Sequence, residues 1–136
     1  MIEVYSFGYK DSRFSLFAEK LREEKFDAVI DTRYNPHCYD GFWKKKALEE
    51  SLPLYGIKYF HFKELGNINY VFKDKPILIC DSKKGKEKVI KTIDRKNFSK
   101  ICFLCTCENF ETCHNKINIE TIFKDYENAY KGQLKL

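Results

Sequence analysis

No stretch of this chain is apolar for long enough to cross a bilayer as a helix. Its first residues run from Met1 into the alternating Ile2-Glu3-Val4-Tyr5 without a basic segment followed by an apolar one. A membrane protein and a secreted one are therefore not expected, and the expected compartment is the cytoplasm. Proline and glycine are scarce, at 3 and 6 in 136 residues, and no repeat or low-complexity linker breaks the chain. One α/β domain spanning residues 1–136 is the expected organisation. Six cysteines suit a disulfide framework only in an oxidising compartment, so here they are read as reduced thiols.

What is present is a dense apolar and aromatic content, 43% and 16% of the chain, enough for a packed core. The net charge of +5 is modest but unevenly spread. Residues 83–100 carry seven lysines and Arg95 against Glu87 and Asp94, so the remainder is close to neutral. Such a stripe is either a solvated helix face or an attractor of phosphates.

Apolar periodicity alternates between 2 and 3.6 residues along the chain, the pattern of repeated β-α-β units. The spacing predicts strands over 2–7, 27–31, 57–62, 76–80 and 100–105. It predicts helices after Ser12, which is read as a cap, and over 43–52, 84–96 and from Thr112 onward. The first helix turns Phe14, Phe17, Ala18 and Leu21 to one face, and the last carries Ile119, Ile122, Phe123, Tyr126 and Tyr130. The expected fold is a three-layer, Rossmann-like α/β domain with a mainly parallel sheet of about five strands and helices on both faces. Its crossovers are right-handed.

In such a sheet the strand C-termini share one edge, and ligands bind in the crevice outside it. The loops leaving the strands bring Gly8-Tyr9, Asp31 with Arg33, His61 with Glu64, Asp81-Ser82, and the run Cys105 to Asn115 to that edge. Arg33 can grip a phosphate or carboxylate that Asp31 helps to orient, although the two also make a plain strand-end ion pair. His61 is a candidate acid or base, or a hydrogen-bonded core imidazole. His37 and Cys38 are second-tier candidates, and Cys80 and Cys102 read as small core residues.

The densest cluster is Cys105-Thr106-Cys107-Glu108-Asn109-Phe110-Glu111-Thr112-Cys113-His114. Cys113, in the first turn of a helix, is placed for thiolate chemistry. The catalytic candidates are Cys113, His61, Asp31 and Glu108. The ligand-binding candidates are Gly8, Tyr9, Arg33, Glu64, Cys105, Cys107, His114 and Asn115. Three thiols and an imidazole also match a Cys₃His zinc site in kind, but C-x-C followed by C-H is not the usual spacing. No metal ligand and no cofactor is assigned, with zinc kept as an alternative.

These residues resemble the family catalogued as domain of unknown function 488. The likeness runs through Ser6-Phe7-Gly8-Tyr9, Asp31-Thr32-Arg33 with Asn35-Pro36, Tyr59-Phe60-His61 followed by Leu65-Gly66-Asn67, and Leu104-Cys105 with Cys113-His114. The family usually continues Cys-His with Arg, where this chain has Asn115, and Lys116 is the nearest replacement cation. The resemblance implies the fold and the location of a site, not a reaction. A fainter likeness is to rhodanese and cysteine-phosphatase domains, which pair a D-x-R strand end with a later cysteine. The loop here is acidic, with Glu108 and Glu111, so it is not expected to bind an oxyanion alone.

Three functions are compatible with the pattern. The first is a small enzyme acting on a nucleotide or nucleic acid, with Arg33 and the basic helix holding phosphate. The second is a non-catalytic nucleic-acid- or nucleotide-binding module in which Tyr34, Tyr39, Phe42 and Trp43 stack on bases beside Lys44-Lys45-Lys46. The third is a thiol redox or zinc sensor. No membrane partner is expected, and the oligomeric state is left open.

Overall fold

The computed structural model describes residues 1–37, 41–107 and 109–136. Five strands form one sheet: β1 (Glu3–Gly8), β2 (Ala28–Asp31), β3 (Lys58–His61), β4 (Lys100–Cys105) and β5 (Tyr130–Gln133). Their order is β3-β2-β4-β1-β5, and every pairing is parallel. The helices are α1 (Phe14–Glu23), α2 (Lys45–Ser51), α3 (Ser82–Lys96) and α4 (His114–Ile122).

The period of 2 along the strands explains the layering. In β2, Ala28 and Ile30 face one core and Val29 the other; in β4, Ile101 and Phe103 oppose Cys102 and Leu104. The first core contains Phe14, Phe17, Ala18 and Leu21 of α1 and Leu48 of α2. The second contains Val89 and Ile93 of α3 and Ile119 and Ile122 of α4. Helices thus cover both faces of the sheet, giving the expected three layers.

Three local expectations fail. Ser12 does not cap α1: Arg13 occupies the N-cap without a side-chain bond, and the Ser12 hydroxyl reaches the Lys10 carbonyl instead. The run Pro76–Cys80 is not a strand. It touches residue 67 through a single antiparallel bridge at Ile79, Leu78 is 53% exposed, and Cys80 is exposed rather than a core residue. The Asn67 side chain accepts the Leu78 and Asn69 amides, so backbone groups that a ladder would use are satisfied locally. The fifth strand is instead β5, at the edge beside β1. Tyr130 consequently belongs to a strand, not to the last helix, which ends at Ile122. There its ring stacks on Phe110 at 4.8 Å and its hydroxyl bonds Ser6 at 2.8 Å.

Candidate functional site

Strand register brings the chemistry together. Gly8 pairs with Cys105, and Asp31 lies between His61 and Leu104, so the ends of β1 to β4 converge on one edge. Outside it lies a cleft of about 590 Å³. Arg33, Lys10 and Lys73 contribute cations to its wall; Tyr9, Tyr34 and Tyr70 contribute rings. Asn35, Asn67 and His37 add polar groups, and Thr106, Cys107 and His114 close the remaining side.

Arg33 is the most constrained of these. Its Nε lies 2.9 Å from Asp31 Oδ1 and its Nη2 2.7 Å from Asp31 Oδ2, a bidentate pair in which both side chains are almost wholly buried. The Arg33 amide and the Tyr59 hydroxyl donate to the same carboxylate, at 3.1 and 2.5 Å. Burial opposes the Arg33 charge, but the Asp31 bonds outweigh it and hold the guanidinium charged. Burial and the Asp31 charge likewise push the Tyr59 phenol upward, keeping it a donor. The Tyr9 ring lies 5.3 Å from the guanidinium carbon. Nη1 is buried and has no hydrogen-bond partner among the described residues.

The thiols form a second cluster. Cys105 and Cys113 are buried, with sulfurs 3.1 Å apart, and Cys107 is half-buried. All three sulfurs lie within 4.8 Å of one another. Cys107 alone of the three lines the large cleft; all three line an adjoining void of about 20 Å³. Hydrogen bonds from Cys105 and then Cys113 push the Cys107 thiol far down, with a further contribution from His114. The Cys105 thiol is pushed well up by its bonds to Cys107 and Cys113 and by burial. For Cys113, the Cys105 contact lowers the value, but the bond to Cys107 and burial together carry it up to about 12.

Local sequence explains the convergence. Cys113 is the N-cap of α4, its sulfur accepting the Asn115 amide at 3.4 Å. The next residue, His114, donates Nε2–H to the Thr32 carbonyl at 3.0 Å and leaves Nδ1 on the thiol side, 3.8 Å from the Cys113 sulfur. Asn115 is fully buried, accepting from the Thr32 hydroxyl at 2.5 Å and donating to the Phe103 carbonyl. Gly8 is obligatory because a Cβ there would sit 1.5 Å from the Cys107 carbonyl oxygen.

The candidates thus divide. Gly8, Tyr9, Arg33, Cys105, Cys107, Cys113, His114 and Asn115 build the cleft or its floor. Asp31 is spent on Arg33. His61 donates Nε2–H to the Arg33 carbonyl at 2.7 Å and does not line the cleft. Glu64 bonds Lys88 of α3 at 2.7 Å, which holds its carboxyl low despite burial. Lys116 pairs with Glu111 at 2.9 Å and is no substitute for the expected cation. Trp43 is buried among Phe7, Tyr9, Phe14 and Phe17, so it cannot stack on a base. No residue of α3 is among those that line the cleft, so the basic helix adds no charge to the wall that holds Arg33. Glu108, Cys38 and Tyr39 lie outside the described residues. Sequence reasoning missed Tyr59 and Thr32 as supports and Lys10, Tyr70 and Lys73 as cleft residues. The signal for Tyr59 was its place two residues before His61 on a strand paired with Asp31.

Among the described residues, no helix is long and apolar enough to cross a membrane. No curated protein and no solved structure matches the chain. A family model does, over a segment that contains Asp31, Arg33, His61, Glu64 and Asn67 and ends before the thiol cluster. Over residues 13–76, the chain matches the family described as Domain of unknown function DUF488.

Proposed function

We propose that this chain is a small enzyme acting on a nucleotide or nucleic-acid substrate, with Arg33 as its phosphate anchor and the Cys107 and His114 wall at the reacting end. The observation that carries the reading is Arg33 Nη1, a buried donor without a partner among the described residues, on a guanidinium held rigid by Asp31 and lining the cleft. A buried unpaired donor costs about 1–3 kcal/mol, and an anionic oxygen in the cleft removes that cost. Lys10 and Lys73 add positive charge to the same wall. The Tyr34 and Tyr70 rings, 6.1 Å apart, offer flat apolar surface for a base, with Asn35 donating to the Tyr70 hydroxyl beside them.

Calorimetric titration with nucleoside 5′-monophosphates and short oligonucleotides tests the anchor. Wild type binds, and Arg33→Lys, which keeps the charge but loses the planar fork, binds about 10- to 100-fold more weakly. Equal affinities would remove the assignment. The enzymatic half is read by product formation from the bound ligand: an unaltered ligand after prolonged incubation favours the binding module, the second reading of the same cleft.

A further inference from the structure

We propose that Cys105, Cys107 and Cys113 bind one soft divalent cation of the zinc class through their three sulfurs, at the floor of the cleft. The spacing of these residues in sequence argues against a metal site, because adjacent Cys113 and His114 seldom address one ion. The fold removes that objection. The group whose ligand atoms come together is Cys105, Cys107 and Cys113, so no adjacent Cys–His pair has to address the ion. The end of β4 delivers Cys105, and the loop pressed against Gly8 delivers Cys107.

Distances agree with a shared ion. Zinc–sulfur bonds of about 2.3 Å at tetrahedral angles put sulfurs about 3.8 Å apart. The Cys105 and Cys113 sulfurs lie 3.1 Å apart and all three lie within 4.8 Å of one another, close enough to converge on one ion after small side-chain adjustments. The 3.1 Å contact is far too long for a disulfide of about 2.05 Å. The void that the three residues line, about 20 Å³, has room for one water-sized occupant.

The surroundings suit a thiolate-bound cation. The Asn115 amide at the start of α4 donates to the Cys113 sulfur, where the helix dipole also favours negative charge. His114 has its Nε2–H fixed on the Thr32 carbonyl and its Nδ1 3.8 Å from the Cys113 sulfur, so it stands beside the three-sulfur group as a polar neighbour and not as a fourth ligand. On binding, any proton still carried by a sulfur passes to solvent and each thiolate forms a metal–sulfur bond, with no change of oxidation state. Soft sulfur donors select zinc over magnesium or calcium. Because Cys107 lines both spaces, the ion would stand where the cleft meets the thiols. The assignment is independent of the nucleotide reading, since metal content is measured without substrate.

The test is elemental analysis of the full chain purified without chelator, followed by competition against a zinc-binding dye. Expected are one equivalent of zinc and, for Cys105→Ser, Cys107→Ser and Cys113→Ser, affinities lowered about 100-fold or more. Cys80→Ser, exposed and neither in the sulfur group nor lining its void, binds as wild type. Should a serine variant fail to fold, cobalt(II) added to the wild-type chain reports instead: tetrahedral bands with thiolate-to-cobalt charge transfer are expected. A wild-type chain that takes neither zinc nor cobalt, or a folded Cys107→Ser chain that binds zinc unchanged, would overturn the proposal. Zinc uptake with no nucleotide binding would leave this site standing and reject the phosphate-anchor reading alone.

Discussion

The Asp31–Arg33 pair shows how a two-residue spacing becomes a rigid device. Alternation puts both side chains on one face, the Asp31 carboxylate takes two guanidinium nitrogens, and Tyr59 and the Arg33 amide fill its remaining lone pairs. Because the charges are buried, removing one leaves the other uncompensated. Asp31→Asn should therefore lower stability by about 3–5 kcal/mol, read as a shifted urea midpoint with an unchanged slope. A loss below about 1 kcal/mol would mean that the pair is more hydrated than its burial implies. Same-face placement and the thiol cluster were legible from residue spacing, whereas the steric need for glycine at position 8 was not, because it comes from the Cys107 carbonyl packed against it. That Asp31 is consumed by Arg33 was not, because a sequence shows which groups can meet but not how many partners each will have. Cys113 was read as the thiol placed for thiolate chemistry; as the N-cap of α4 it is buried, and Cys107, earlier in the same loop, is the sulfur that lines the cleft.

Among the elements, the alternation of periods was enough to place four strands and all four helices, since each buries a face against the sheet. It failed where burial and pattern part company. Pro76–Cys80 has strand-like apolarity but lies exposed on an excursion pinned by the Asn67 side chain, whereas β5, Tyr130–Gln133, has little apolar character and yet completes the sheet. A short edge strand is selected by backbone pairing with β1, which leaves scant trace in side-chain pattern. The basic helix α3 was read as a phosphate holder, but its lysines lie on a surface away from the residues that line the cleft. Replacing Lys86 and Lys91 together by Gln is thus expected to leave nucleotide affinity unchanged, whereas Lys73→Gln weakens it. The reverse ranking in the same titration would relocate the binding face to α3.

At the scale of the whole molecule, a parallel sheet gathers the ends of strands far apart in sequence, and the family match stops at residue 76, so the matched segment supplies the anion anchor and the remainder the sulfurs. If Arg33, Lys10 and Lys73 each neutralise one phosphate of a short single strand, log affinity should fall with log salt at a slope of about −2. A flat salt dependence would indicate that the cations do not meet the backbone. The most direct test of the phosphate anchor is a titration of the isotopically labelled chain with a nucleoside 5′-monophosphate, followed by nuclear magnetic resonance. The largest shifts are expected at the Arg33 side chain and amide, with Tyr9, Tyr70, Cys107 and His114 moving in the same saturable step. Shifts confined to α3, or none at saturating nucleotide, would contradict it.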